Sequence, residues 1–337
     1  MIQRETAPPG LARIGPIKAG LQAVCGTGQK TEIKAMRHVK WLVGAALVVM
    51  TTGLASAQEL TGTLKNIKDT GAITLAHRES SIPFSYLDDK QQPIGFAMDI
   101  CMNIVEAIKK ELKLTKLDVK LTPVTSSTRI PLLANGTVDL ECGSTTNNAE
   151  RQKQISYTNT HFITASKYVT KKSANINKID DLKGKTIVST SGTTNIKQAT
   201  EANAAKNLGM TILTAKDHSD AFLMVETDRA VAFVMDDIII AGLIATSKAP
   251  GDYKLSDDAF SLPEPYGIML RKDDLPFKKV VDAATSALYK SPQFADLYAK
   301  WFTKPIPPKG LTLNVPFSPQ LKKMFANPTD SPDPAAY

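Results

Sequence analysis

Two successive series of short apolar segments and amphipathic segments constrain the fold of this chain more than any other feature. The first series covers residues 72–141, and within it the segment from Phe96 to Leu112 places Ile100, Ile104 and Ile108 on one helical face. The second series covers residues 186–235 and repeats the alternation of strand and helix. Each series has the βαβ pattern that is typical of a parallel sheet covered by helices. The sequence therefore predicts an α/β fold with two sheets.

Two β-rich segments connect the series and indicate how the chain divides into lobes. Residues 162–170 follow the first series, and residues 262–270 follow the second. We expect both segments to cross between lobes, so that lobe 1 is discontinuous (58–165 and 264–337) and lobe 2 is an insertion (166–263). Such an arrangement places a ligand cleft at the carboxyl ends of the strands. The tail from Asn327 to Tyr337 has three prolines and no apolar period, which predicts a mobile end.

A secretory signal peptide is predicted at residues 36–57. Basic residues at positions 37–40 precede an apolar run from Trp41 to Leu54, and Ala55-Ser56-Ala57 is typical of a cleavage site. The run of about 14 residues is shorter than the roughly 20 that a membrane-spanning helix needs. Because this signal has its own methionine, Met36, we interpret residues 1–35 as an upstream, non-native extension.

The leader accounts for much of the positive charge of the sequence. Residues 1–57 hold seven Lys/Arg and two Asp/Glu, so the totals of 41 and 33 fall to 34 and 31 for the remainder, a net charge of about +3. This balance argues against a nucleic-acid partner. The sequence contains no P-loop, H-E-x-x-H or C-x-x-C motif, and we predict neither a cofactor nor a metal.

Two cysteines, Cys101 and Cys142, remain after the leader. In an oxidising compartment such a pair can persist as a disulfide, which is the reading we favour. Two buried free thiols are the alternative, because the sequence does not supply the Cα separation that a bridge requires.

The segment from Asp139 to Arg151 is the richest candidate for a ligand site. A buried strand runs directly into a polar turn, where Gly143 allows close backbone approach and Ser144 and Thr146 alternate along one side. Arg151 could bind a carboxylate through two parallel hydrogen bonds, and the hydroxyls could donate to the remaining lone pairs of that carboxylate. An ordinary capped turn with a surface arginine would explain the same residues.

Further polar residues stand where the predicted strands end. Thr190-Ser191-Gly192-Thr193-Thr194 opens a helix and suits an anion, although simple N-capping would produce the same pattern. Asp236 and Asp237 close a strand, and one could receive an ammonium group while Asp237 caps the next helix. Considered alone, Arg78, Arg129 and His218 are more typical of surface, cap or loop residues.

Taken together, these segments resemble the periplasmic glutamate/aspartate-binding proteins of ABC transporters, within the polar amino acid solute-binding protein family. The resemblance covers essentially the whole chain after the leader. Five motifs carry it: residues 78–86 (RESSIPFSY), 129–136 (RIPLLANG), 141–151 (ECGSTTNNAER), 191–194 (SGTT) and 230–237 (AVAFVMDD). It implies a two-lobed periplasmic-binding-protein-like fold (type II) with two hinge strands, and a monomer that closes around L-glutamate or L-aspartate.

The resemblance also implies a role for each site residue. Arg151, Thr146 and Thr194 would hold the α-carboxylate of the ligand, and Ser144 and Asp236 would receive its α-ammonium. The side-chain carboxylate would be bound by four further residues, which are Arg78, Ser126, Arg129 and His218. Because aspartate and glutamate differ by one methylene, dual specificity is expected.

The partner implied by the resemblance is the permease of an ABC importer at the inner membrane, which places the protein in the periplasm. Two readings from other classes remain. One is a periplasmic enzyme on the same scaffold, similar to cyclohexadienyl dehydratase, with Glu141, Glu150 or His218 as its titratable group; no pattern of an activated nucleophile supports it. The other is a ligand-sensing domain for a signalling partner, which would share the pocket chemistry.

Overall fold

A computed structural model describes residues Glu59–Tyr337, which form two five-stranded sheets, two smaller sheets and nine α-helices. The predicted extension and signal peptide lie outside the described residues. The α-helices are α1 (Gly62–Thr70), α2 (Phe96–Glu111), α3 (Arg129–Ala134), α4 (Thr194–Ala205), α5 (His218–Glu226), α6 (Asp237–Thr246), α7 (Leu275–Tyr289), α8 (Gln293–Phe302) and α9 (Pro319–Ala326). None of these helices is long and apolar enough to cross a membrane.

The strands follow the predicted alternation with the helices. They are β1 (Ala72–His77), β2 (Ser80–Ser81), β3 (Ser85–Leu87), β4 (Pro93–Ile94), β5 (Asp118–Pro123), β6 (Leu140–Glu141), β7 (Ile155–Tyr157), β8 (Phe162–Thr164), β9 (Ser166–Lys171), β10 (Thr186–Thr190), β11 (Thr211–Ala215), β12 (Ala232–Asp236), β13 (Tyr253–Leu255), β14 (Glu264–Tyr266) and β15 (Met269–Arg271). Strands β2, β3 and β4 form a small antiparallel sheet after β1.

The sheet of lobe 1 has the strand order β5-β1-β6-β15-β7. Strand β1 pairs in parallel with β5 and β6, and β15 returns from the far end of the sequence to pair antiparallel with β6 and β7. Helix α2 packs Ile100, Ile104 and Ile108 into the core as its periodicity predicts, and all three side chains are fully buried. The chain therefore completes lobe 1 after leaving it, as predicted.

The sheet of lobe 2 has the order β11-β10-β12-β9-β13. Strands β10, β11 and β12 are parallel, while β9 and β13 add an antiparallel edge. Strand β12 is buried along its whole length because helices cover both sides of a parallel sheet. Its carboxyl end, at Asp236, and that of β10, at Thr190, lie at the same edge of the sheet.

Two short strands, β8 and β14, carry the chain between the lobes. They pair antiparallel with each other, with Phe162 opposite Tyr266. Both lie in the segments predicted to cross. The lobe boundaries at 165/166 and 263/264 stay a prediction, and each falls directly beside one of these strands.

An aromatic cluster packs beneath the two crossing strands. Phe84 contacts Phe162 and Tyr266 with ring centroids 5.1 and 5.3 Å apart, and Phe162 stacks on Phe302 at 5.0 Å. His161 lies in the same cluster, fully buried, and neither of its ring nitrogens has a hydrogen-bond partner within the described residues. The aromatic rings of the crossing strands therefore pack against Phe84 and Phe302.

The predicted disulfide is confirmed. Cys101 on α2 and Cys142 after β6 are bonded, with their Cα atoms 6.1 Å apart. The bridge fastens the helix that covers the lobe 1 sheet to the turn that follows its central strand.

The prediction of a mobile C-terminal tail is wrong. The backbone N–H of Thr160 donates to the carbonyl of Thr329 at 2.8 Å, and the Asn147 side chain donates to the carbonyl of Asp330 at 2.8 Å. Lys278 forms an ion pair with the Asp330 carboxylate at 2.9 Å. Proline enrichment suggested disorder, but these contacts with lobe 1 hold the segment, and they join residues too distant in sequence to be visible as a pattern.

Reduction of the disulfide should lower the free energy of unfolding by about 4 kcal/mol, because the bridge closes a loop with a sequence separation of 41 residues. Urea denaturation with and without a reductant measures this difference, and mass spectrometry after alkylation reports the redox state. Two thiols that label in the unreduced, purified protein would contradict the bridge.

Stability should fall in acid because of His161, whose pKa is lowered from 6.5 to about 3 by burial. Below pH 6.5 this histidine binds a proton in the unfolded chain but stays neutral in the folded chain. Its contribution to the free energy of unfolding is therefore complete above pH 6.5 and is lost as the pH falls toward 3. The variant His161→Phe should lack this pH-dependent contribution. Between pH 7.5 and pH 5 the wild type should lose about 2 kcal/mol more unfolding free energy than the variant. Parallel urea titrations give the two curves, and equal losses would refute the assignment.

Candidate ligand-binding site

Arg78, which directly follows β1, is held by contacts from both lobes. Its side chain is fully buried, and its Nε donates to the carbonyl of Val124 at 3.1 Å. Nη2 forms an ion pair with Asp217 Oδ1 of lobe 2 at 2.6 Å. Nη1 has no hydrogen-bond partner within the described residues. The guanidinium is thus oriented by protein groups while one donor remains available to a ligand.

Arg129 begins α3 and is a buried cation with even fewer partners. Its side chain is 3% exposed, and both Nε and Nη1 lack hydrogen-bond partners among the described residues. The nearest carboxylate oxygen, Glu141 Oε1, is 4.0 Å from Nη1. Burial lowers the pKa of Arg129 to about 10 while Glu141 opposes the shift, so the side chain stays protonated at pH 7. Unpaired donors on a buried cation are costly, which suits them to a negatively charged ligand.

The turn after β6 brings a carboxylate and a hydroxyl beside these arginines. Glu141 is fully buried, and its Oε2 accepts a hydrogen bond from the Thr145 hydroxyl at 2.7 Å. Gly143 makes this possible, since a Cβ at that position would overlap Glu141 Oε1. The hydroxyl of Ser144 is buried without a partner in the described part of the chain, as is that of Ser126 before α3.

Arg151 spans the two lobes. Its Nη1 donates to the carbonyl of Thr146 at 2.9 Å in lobe 1, and its Nη2 donates to the carbonyl of Gly192 at 3.3 Å in lobe 2. The hydroxyls of Thr146 and Thr194 lie 3.4 Å apart across the same boundary. Thr194 is the first residue of α4, so the positive end of that helix faces this group.

Asp236 places a buried carboxylate at the end of β12. It is 1% exposed, its Oδ1 accepts from the Asn195 amide at 2.7 Å, and its Oδ2 accepts from the Tyr266 hydroxyl. Burial raises the pKa of Asp236 to about 6, although Tyr266 and Asn195 act in the opposite direction. A buried carboxylate of this kind suits a cationic group.

Asp237 is the first residue of α6, and Asp236 occupies the N-cap position without a side-chain capping bond. The Oδ1 of Asp237 accepts from the Ile238 backbone N–H and from the Thr164 hydroxyl, both at 2.7 Å. The prediction that Asp237 is the cap is therefore off by one position, although its carboxylate does bind the start of the helix, and Asp236 is the member of the pair that belongs to the site.

His218 lies at the start of α5, after the N-cap residue Asp217, and is not the cap itself. Its Nδ1 is 2.9 Å from the Thr190 hydroxyl, and its Nε2 is 3.4 Å from Arg78 Nη2. Burial, followed by the charge of Arg78, lowers the pKa of His218 to about 3, so the ring is neutral at pH 7. A ring that resists protonation in this way is poorly suited to general-base catalysis near neutral pH.

The structure gathers all nine predicted ligand residues between the two lobes. Eight of them are at most 9% exposed, and only Thr194 is partly exposed. The lobes touch around them, since Ser127 Oγ lies 3.1 Å from Ser191 Oγ and a Cβ on Gly192 would come within 2.7 Å of Ser127 Cα. The structure is thus a closed form in which several buried donors have no partner among residues 59–337.

Three residues of the site were missed by the sequence reasoning. Asp217 pairs with Arg78, whereas Asn195 and Tyr266 hold Asp236. Asp217 carried a signal, because it immediately precedes His218 at a helix start. Tyr266 carried none, since the neighbouring prolines and Gly267 only indicated an interruption of regular structure.

A closed cleft between two α/β lobes, crossed by two paired strands and lined with buried charged groups, defines a two-lobed solute-binding protein of the type II class. Residues 73–304 match the bacterial extracellular solute-binding proteins, family 3. The chain belongs to this family.

Individual relatives and solved structures agree with this assignment. The chain is 51% identical to the L-glutamate/L-aspartate-binding protein of Pseudomonas aeruginosa, over 88% of this chain and 98% of that protein. It is 44% identical to the glutamate/aspartate import solute-binding protein of Escherichia coli, over 84% of this chain and 95% of that protein. A histidine-bound substrate-binding protein of an ABC uptake transporter from Streptococcus pneumoniae has the same fold, with a TM-score of 0.62 at 22% identity over 71% and 95% of the two chains.

Proposed function

We propose that this chain captures L-glutamate or L-aspartate by closure of its two lobes and delivers it to an ABC importer. The observation that carries the proposal is the pair of buried arginines, Arg78 and Arg129. Their nitrogens that have no partner among the described residues lie in a site that also holds the buried carboxylate of Asp236. Such a site suits a molecule with more than one anionic group and a single cationic group. The curated relatives, which are named for glutamate and aspartate binding and import, support a binding protein rather than an enzyme.

The α-amino acid end of the ligand would occupy the boundary between the lobes. Arg151, Thr146 and Thr194 would bind the α-carboxylate, since they lie together at the N-terminus of α4. Asp236 would receive the α-ammonium together with the hydroxyl of Ser144, which has no partner among the residues that the structure describes. These contacts would serve any α-amino acid.

Selectivity would rest on the other end of the site. The side-chain carboxylate would be bound by Arg78, Arg129, Ser126 and His218. Nη1 of Arg78 and Nε and Nη1 of Arg129 have no partner in the part of the chain that the structure describes, and they would be the cationic donors. Glutamine has the same shape without the charge, so it would leave the donors imperfectly matched. A charge-assisted hydrogen bond contributes roughly 1.5–3 kcal/mol, which sets the scale of the discrimination.

Closure would couple binding to transport. Arg78 and Arg151 each contact a lobe 2 group from lobe 1, at Asp217 and Gly192. A ligand held by the same side chains would stabilise the closed form, and a permease could recognise that form through surfaces of both lobes. We infer that the protein acts as a monomer in the periplasm, exported by the signal peptide at 36–57.

Calorimetric titration with glutamate, aspartate, glutamine and histidine tests the assignment. We expect both acidic amino acids to bind, and glutamine to bind at least roughly a hundredfold more weakly, which corresponds to about 3 kcal/mol. Preferential binding of glutamine or histidine would overturn the proposal.

Arg129→Ala should weaken glutamate binding at least roughly a hundredfold, because it removes a buried cation from the side-chain end of the site. Glutamine affinity should change less, so the ratio between the two ligands should collapse. Arg229→Ala, at an exposed position of lobe 2, is the matched control and should bind as the wild type does. Urea denaturation of the ligand-free variant separates this effect from a loss of stability, and unchanged glutamate affinity would exclude Arg129 from the site.

A further inference from the structure

Glu264 is a largely buried acid beside the site for which the ligand assignment gives no role. It begins β14, and Tyr266 follows it two positions later, so the two side chains project from the same face of the strand. The Tyr266 hydroxyl binds Asp236 Oδ2. Glu264 therefore lies on the face of the crossing strand that is directed toward the carboxylate proposed to receive the ammonium.

The hydrogen bonding of Glu264 is incomplete. Its Oε1 accepts from the Gln198 amide of α4 at 2.7 Å, whereas Oε2 is buried without a partner within the described residues. Asp237 is a nearby acid with a structural role, since its Oδ1 accepts hydrogen bonds from both a hydroxyl and a helix N–H. A purely structural role would leave the buried Oε2 of Glu264 unexplained.

The charged surroundings favour a proton on Glu264 when no ligand is bound. Burial, and then the negative charge of Asp236 on β12, raise the pKa of Glu264 to about 8. The hydrogen bond from Gln198 and the positive charge of Arg151 oppose this shift. With such a pKa, about nine-tenths of Glu264 is protonated at pH 7.

We propose that Glu264 is a further residue of the ammonium subsite, and that its carboxyl group releases a proton to solvent when the ligand's ammonium enters beside Asp236. This inference rests on the proposed function. A cation placed between two acids favours the charged form of both, so the second carboxylate forms as the ammonium arrives. Glutamate affinity then rises with pH below about pH 8, by up to tenfold for each pH unit.

Other groups of the site do not produce this signal. His161 and His218 both have pKa values lowered to about 3, so they remain neutral between pH 6.5 and 8. Asp236, with a pKa of about 6, is already mostly ionised at pH 7. Proton release near neutral pH is therefore specific to Glu264 among the buried groups that face the ligand.

Titration calorimetry with glutamate at pH 7, in phosphate and in Tris at equal ionic strength, measures the protons exchanged. We expect the release of about 0.9 proton per ligand in the wild type and an affinity that rises roughly tenfold between pH 6.5 and 8. Glu264→Gln should abolish both effects. Glu264→Asp keeps an acid at this position and should retain some proton release. This variant tests the inference if Glu264→Gln fails to fold.

Glu201→Gln, on the exposed side of α4, is the matched control and should release protons as the wild type does. Wild-type binding heats that are equal in the two buffers would overturn the inference while leaving the proposed function intact, as would release that persists in Glu264→Gln. Absence of binding by either acidic amino acid would refute the proposed function, and the inference with it.

Discussion

The closed structure depends on compensating the positive charges of three arginines that are buried in the cleft between the lobes. Arg78, Arg129 and Arg151 would each be costly to desolvate alone, because a buried charge needs both an opposite charge and partners for its hydrogen-bond donors. The opposite charges are the carboxylates of Asp217, Glu141 and Asp236, which come from both lobes. Even so, several donors of these arginines have no partner within residues 59–337, and an anionic ligand would supply one.

This dependence explains why the site sits where the two sheets face each other. The carboxyl ends of parallel strands are the places where backbone and side chains are free to turn toward a neighbour, and each lobe contributes one such edge. Neither edge alone could bury Arg78, since its ion-pair partner belongs to the other lobe. The two crossing strands pair with each other where the chain passes between the lobes, and the aromatic cluster packs against them.

Local periodicity predicted most of the fold, and the family resemblance predicted which side chains would meet. Helix α2 differs from its prediction by one residue at its end, and its three isoleucines are buried as the periodicity predicted. The predictions that failed or were incomplete concern contacts between distant segments. Asp217 meets Arg78 across 139 positions, and Asp330 meets Lys278 although composition suggested a mobile tail. No pattern within a window of the sequence reports such pairs, because they exist only after the lobes have folded.

The position of β15 has a consequence for how this chain reaches its native state. Strand β15 fits between β6 and β7 in lobe 1, yet it follows the whole of lobe 2 in the sequence. A chain that emerges from its N-terminus onward must therefore carry two unpaired strand edges until that late segment arrives. Such edges are templates for pairing with other chains, so a protein truncated within lobe 2 would be prone to aggregate rather than to persist as a half-sized binding module.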